Sequence, residues 1–247
     1  MALQEELKVQ GDVLFKYRSY FPLLFLVFTL GAFVYEAAHE NSWMSCDGYW
    51  YISLAVGIFG LLIRIFTVGF TPKNTSGRNT TGGQLADELN ETGTYSMVRH
   101  PLYVGNYFMW LAVAMLTADF WFILAFTFLY WVYYERIMYA EEAFLRNKFG
   151  QMYLTWAEGR PAFVPKLNGF VVPKYSFSLK KVLKKEKNGI AALFGLFWLF
   201  DLIRNSIQAK TFVFLQNQWF WAFVGSVVFY LIFKVLKRYT KVLEDGR

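Results

Sequence analysis

Apolar residues in this chain come in long runs and not in the alternation of a half-buried sheet. A helix crossing the hydrocarbon core of a bilayer needs ~20 apolar residues, and the first run near that length is residues 21–38. Residues 48–66 form the second, interrupted by Arg64. From 102 to 134 the chain stays apolar apart from a break at Thr117, Ala118 and Asp119. One straight helix of that length would reach ~50 Å at 1.5 Å per residue and overshoot the membrane, so the pattern predicts a hairpin of two spans. Residues 189–203 and 219–236 complete a set of six. Lys16 and Arg18 precede the first run as they would in a signal peptide, but that run is long for a leader and more spans follow, so it reads as an anchor.

The expected fold is therefore an all-α integral membrane protein of about six transmembrane helices, a single membrane domain over residues 1–247. Loop charge gives the orientation. The segments before the first span, between the second and third, between the fourth and fifth, and after the sixth hold nearly all of the 25 Lys and Arg, so both termini and these loops are expected on the cytoplasmic side. A bacterial inner membrane is the expected location. Composition agrees: 56% of residues are hydrophobic and 21% aromatic, far above soluble usage. Net charge is +7, but the basic residues flank apolar spans, which suggests anionic lipid and not nucleic acid. A single cysteine, Cys46, leaves no internal disulfide, and two histidines, His39 and His100, leave no Cys/His zinc set, so no metal is expected.

Two further segments lie in the cytoplasmic loops. Residues 174–188, KYSFSLKKVLKKEKN, set Tyr175, Leu179, Val182 and Leu183 at helical spacing against lysines on the other faces. That pattern suits an interfacial helix on anionic head groups, and equally a solvated basic linker ahead of the C-terminal pair at 189–236. Residues 71–79, TPKNTSGRN, read as a polar loop. Near the outer end of the fifth span, Asp201 and Arg204 are three apart and are expected to pair.

Candidate chemistry sits at the edge of the hairpin. In YSMVRHPLYVGNYF, Arg99, His100 and Pro101 stand directly before the longest apolar run. Proline disfavours helix for the residue before it, so the span starts at or just after Pro101 with His100 extended. The N–H groups of that helix start could then receive a carboxylate or phosphate. Read alone, the tripeptide also suits a snorkelling Arg, a capping His and an interfacial Tyr103. After the fourth span, Glu141-Glu142 continue the helix, Gly150 is placed to end it, and Glu142 with Arg146 could be an ordinary helical pair. The hairpin brings both segments to one side of the membrane, where interfacial charges are functional candidates.

The pair of motifs TGTYSMVRHPLYVG and EEAFLRNKFGQMYLTW, covering roughly residues 90–165, resembles the isoprenylcysteine carboxyl methyltransferase and phospholipid methyltransferase superfamily. The resemblance implies an integral-membrane methyltransferase using S-adenosylmethionine without a Rossmann domain, with methyltransferase core motifs at 90–165. It implies a cofactor site at His100, Pro101, Leu102, Tyr103, Gly105, Glu141, Glu142 and Tyr153. On charge, Glu141 or Glu142 would neutralise the cofactor's ammonium, and backbone groups of residues 100–103 would hold its carboxylate end. The family's basic residue before a valine-proline is here displaced to Gly159-Arg160-Pro161. Arg99, Arg160 and Arg64 are the candidates to clamp an ionised acceptor, which needs no general base. Together with the opening GDVLFKYRSYFPLLFL and the extra C-terminal spans, this favours O-methylation of a membrane lipid phosphate, as in bacterial lipid A phosphate methyltransferases. Isoprenylcysteine carboxyl methylation, amine methylation of phosphatidylethanolamine and a non-catalytic scaffold are the alternatives. Oligomeric state is not legible.

Overall fold

The structure, a computed structural model, describes residues 2–18, 20–72, 75, 78–80 and 83–244. Among the described residues there are eight α-helices: α1 Leu3–Tyr17, α2 Phe21–Ala38, α3 Asp47–Phe70, α4 Pro101–Met115, α5 Phe120–Phe149, α6 Gln151–Ala157, α7 Leu179–Ala209 and α8 Gln218–Tyr239. Each of the six apolar runs is helical. Three helices, α3, α7 and α8, are long and apolar enough by themselves to cross a membrane, and α1 with α2 form a fourth candidate bent by 78°. The count of spans by this measure is thus three or four against the expected six. α4, at 15 residues, reaches only ~22 Å at 1.5 Å per residue, and α5 carries charges in its second half.

The hairpin breaks where the polar interruption predicts. α4 ends at Met115, Ala118 turns with φ 55°, and Asp119 caps α5 by accepting from Trp121 N–H. α5 then runs past the apolar stretch and stops at Gly150, which takes φ 55°. Residues 73, 74, 76 and 77 of the polar loop 71–79 lie outside the described residues. Arg78 and Asn79 open a small antiparallel hairpin, β1 Arg78–Thr80 with β2 Gly83–Leu85.

The basic stretch is neither a separate interfacial helix nor a linker. From Leu179 it is the first turns of α7, continuous with the fifth apolar run and capped by Ser178. The helix continues through Asn188 and Gly189 despite their turn preference, with Val182, Glu186 and Lys187 facing inward and buried.

Two apolar clusters meet at α4. One gathers Phe33, Trp50, Val113, Leu116, Phe197, Phe200 and Trp219 from α2, α3, α4, α7 and α8. The other gathers Phe15, Phe25, Phe126, Tyr130, Tyr134 and Ile137 from α1, α2 and α5. α3 packs most extensively against α4. A Cβ on Gly60 would come 2.5 Å from Gly105 O, and one on Gly105 would come 2.6 Å from Arg64 Cγ. Small residues let the two backbones touch, as membrane helix pairs require. Asp201 and Arg204 pair at 2.7 Å as expected, and Arg204 also donates to Met44 O and lies over the Trp50 ring.

Candidate functional site

The loop before α4 is tied to the segment after α6 by two backbone bonds. Arg99 N–H donates to Pro161 O at 2.9 Å and His100 N–H to Ala162 O at 3.2 Å. His100 has φ −125° and ψ 61°, and Pro101 begins α4. The amides of residues 99 and 100 are thus used inside the fold, and those of Tyr103 and Val104 go to His100 O.

α5 delivers the acidic pair to the same place. Glu142 Oε2 accepts from Arg99 at 2.8 Å and its Oε1 lies 3.0 Å from His100 Nε2. Glu141 Oε2 accepts from Tyr103 Oη at 2.9 Å and lies 3.6 Å from His100 Nδ1. His100 is thus an imidazole between two carboxylates, with Tyr103 stacked on it at 5.6 Å. Glu142 spends its charge on Arg99 and His100, so the helical pair with Arg146 is not formed, and Arg146 stands exposed.

A cavity of about 360 Å³ opens beside this cluster, within the range of small-molecule sites. Of the expected residues, Arg64, Arg99, His100, Leu102, Tyr103 and Glu141 line it. Five do not reach its wall. Glu142 and the buried Tyr153 sit behind it, Pro101 starts the helix, and Gly105 serves the contact with Gly60. Arg160 turns back to donate to Trp156 O and lies 5.7 Å from the centre of the Trp156 ring.

Arg64 is the largest surprise. Its Nε and Nη2 form a two-point bridge to Glu186, both at 2.8 Å, and Nη1 donates to Asn106 Oδ1 at 2.6 Å. The Glu186 side chain is 1% exposed. Arg64 is therefore a neutralised cation and not an open clamp. A lone Arg in an apolar run demands a buried carboxylate, and Glu186 is the single acidic residue among the lysines of the basic stretch; that was the available signal. Tyr95 and Trp156, which lie inside the two motifs but are not singled out there, also line the wall, as do Glu88 and Trp110, which no local pattern announces.

The acid–base state follows from the neighbours. Burial by itself lowers the His100 pKa, but Glu141 and Glu142 outweigh it and raise the imidazole above its usual 6.5. Both carboxyls are held below their ordinary 4.5, although burial pushes them up, because His100 bonds to them; Tyr103 adds to this at Glu141 and Arg99 at Glu142. The raised imidazole contributes stability that is complete below pH ~6.5 and is lost as pH climbs through its folded value. The lowered carboxyls contribute stability that is lost as pH falls through theirs. The difference in melting temperature between wild type and His100→Asn is expected to be largest on the mildly acidic side of neutrality and to shrink at alkaline pH. A difference constant from pH 6 to 9, on the reference scale of about 6.5 for histidine, would show that His100 is not charged in the fold.

Among the described residues no group of three His, Cys, Asp or Glu side chains could hold a metal ion. The wall does fit S-adenosylmethionine by donor chemistry. It offers carboxylate from Glu141, guanidinium from Arg99, aromatic faces from Tyr103 and Trp156, and the buried Trp156 Nε1–H, which has no hydrogen-bond partner.

Comparison with known proteins points the same way. Residues 51–152 match the family model described as phospholipid methyltransferase. The chain is 36% identical over 74 residues to the protein-S-isoprenylcysteine O-methyltransferase of Schizosaccharomyces pombe, covering 30% of this chain and 31% of that one. The Tribolium castaneum protein of the same name is 24% identical over 146 residues, 59% of this chain and 50% of that one. The nickel-cobalt-cadmium resistance protein NccN of Alcaligenes xylosoxydans xylosoxydans is 29% identical over 133 residues, 53% and 56% of the two chains. No solved structure matches. The matched stretches span from about a third to just over half of these relatives' lengths. Residues 51–152 are thus similar to the phospholipid methyltransferase family, and the chain is similar in part to proteins named isoprenylcysteine O-methyltransferases.

Proposed function

We propose that the protein is an integral-membrane methyltransferase that uses S-adenosylmethionine at the 360 Å³ cavity and methylates a carboxylate carried on a prenylated cysteine. The observation that carries the reading is the convergence of Arg99, His100, Tyr103 and Glu141 on one cavity, all within the residues 51–152 that match the phospholipid methyltransferase model, in a chain similar to proteins named isoprenylcysteine O-methyltransferases. The lipid A phosphate expected from the opening residues finds no support among these relatives, and the carboxylate reading takes its place. The cavity faces the cytoplasm on the loop-charge argument.

The cofactor supplies an electrophilic methyl group on a sulfonium. Glu141 sets a negative charge in the wall that would hold the ammonium end, and Tyr103 and Trp156 would offer π faces to positive charge. Tyr103, fixed by its bond to Glu141, keeps that carboxylate oriented. Arg99 stands on the cavity side of Glu142 and meets an anion there. A carboxylate acceptor arrives ionised, so the wall needs no free base, and of the carboxylates it contains Glu141 is engaged with His100 and Tyr103, Glu186 with Arg64 and Glu88 with Tyr175 and Lys174. An amine acceptor would have to shed a proton to one of them. Aligning donor and acceptor in a water-poor site is then the main task.

The test is incubation of the purified protein with methyl-labelled S-adenosylmethionine, a prenylated cysteine and a total lipid extract, with labelled species identified by mass spectrometry. Label on the prenylcysteine alone is expected; label in phospholipid alone would overturn the acceptor class. In the same preparation Glu141→Gln should weaken cofactor binding by about tenfold, as removal of one charge-assisted partner does, while Glu142→Gln should weaken it less. The reverse order would move the ammonium to Glu142.

A further inference from the structure

Residues 161–178, between α6 and α7, form neither helix nor strand, yet much of their surface is apolar. Val164, Leu167, Phe170, Val171 and Val172 are all exposed, Leu167 and Val172 at 76%. Asn168 and Gly169 make a turn, with Gly169 at φ 95°, so that Leu167 and Phe170 flank its tip. Apolar side chains exposed singly need no explanation, but a contiguous patch marks a contact surface. Phe163 is the inward anchor of this coil, packing on Tyr107, Tyr130 and Trp131.

The coil is tied at the level where the spans end. Ser178 N–H donates to Gly69 O at 2.8 Å in the last turn of α3, and the Phe177 ring fills the space that a Cβ on Gly69 would need. Lys166 N–H donates to Met97 O and Val171 N–H to Ser96 Oγ, both at 2.9 Å, just ahead of α4. Phe66, one turn inside the end of α3, is 52% exposed and faces lipid. Irregular backbone is not tolerated in hydrocarbon, because its N–H and C=O groups need water. Head-group depth supplies that water and still receives apolar side chains. Charge names the surface. Between Glu158 and Glu186 the sequence holds seven Lys or Arg and no Asp or Glu. Lys174 stands 3.5 Å from Glu88, and Arg160 donates to Trp156 O. Whatever such contacts use, the segment stays strongly positive in net charge, on the face that loop charge assigns to the cytoplasm. An anionic leaflet is its match.

We infer that residues 164–172 are an interfacial anchor inserted into the anionic cytoplasmic leaflet, with Leu167 and Phe170 at the boundary of head groups and acyl chains and the flanking lysines among the phosphates. The inference does not depend on the methyl-transfer reading. It bears on the cavity all the same: the carbonyls of Pro161 and Ala162, at the start of the coil, hold the amides of Arg99 and His100. Seating the coil in lipid therefore sets the cavity wall at the membrane surface.

The test places a fluorophore on single cysteines, Leu167→Cys, Val172→Cys and, as a control exposed near the end of α5, Asn147→Cys, in the full-length protein carrying Cys46→Ser. Each is reconstituted in vesicles of phosphatidylcholine alone or with phosphatidylglycerol, the acyl chains brominated close to the head group. All three positions are exposed, so the fold should survive labelling, and melting temperature checks it. Labels at 167 and 172 should be quenched by the brominated lipid and several-fold less by aqueous iodide than the label at 147. Phosphatidylglycerol should strengthen the lipid quenching, and Lys166→Gln with Lys180→Gln should remove that gain. Iodide quenching at 167 and 172 equal to that at 147 overturns the anchor. Shielding from both quenchers also overturns it, since protein and not lipid would then cover the patch. Lipid quenching indifferent to phosphatidylglycerol overturns the choice of an anionic leaflet.

Discussion

Glu186→Ala is expected to destabilise the protein by about 3–5 kcal/mol, the loss typical when one partner leaves a buried ion pair. Glu186 is 1% exposed and accepts two bonds from Arg64, which is 22% exposed. Removing the carboxylate leaves a guanidinium between α3, α4 and α7 with only Asn106 to satisfy it. The measurement is thermal unfolding in detergent. The double variant Arg64→Met with Glu186→Leu should recover most of the loss, because an apolar pair of similar volume removes the stranded charge. If Glu186→Ala alone melts like wild type, the bridge is not closed in the protein.

Arg99→Ala is expected to lower methyl transfer at least about a hundredfold, on the scale of a lost positioning contact, while disturbing the fold far less than Glu186→Ala. The fold tolerates it because residues 99 and 100 are tethered through backbone bonds to Pro161 and Ala162, which alanine keeps. The site does not, because Glu142 loses its guanidinium and the wall loses a cation facing the cavity. Full activity in this variant would remove Arg99 from the site.

Elements dominated by local pattern were legible in the sequence. The apolar runs gave six helices, Thr117 to Asp119 gave the turn, Gly150 the end of α5, and Pro101 the start of α4. The spacing of Asp201 and Arg204 gave their pair. What stayed hidden depends on partners far apart in the chain. Glu142 could bond Arg146 one turn away or Arg99 across the hairpin, and only the packed position of α5 decides for Arg99. Arg64 read as an acceptor clamp because its carboxylate is 122 residues distant. Gly105 read as part of the cofactor motif, whereas its neighbour is the backbone at Gly60. The break between linker and span at residue 188 was drawn from the change in charge, yet a helix is indifferent to that change once Glu186 and Lys187 face inward.

The continuity of α7 fastens the protein at two depths. Near one end Glu186 is bridged to Arg64 of α3; near the other, Arg204 sits on Trp50 of α3 and bonds Met44 O just before it. The fastenings are ~27 Å apart along α7 and ~21 Å along α3 at 1.5 Å per residue, close to but under the thickness of a ~30 Å hydrocarbon core. Neither helix can slide on the other without breaking a buried charge contact at one end. In a thicker bilayer the adjustment therefore falls on the lipid or on the tilt of the whole pair, and the cavity wall built on Arg64 keeps its shape.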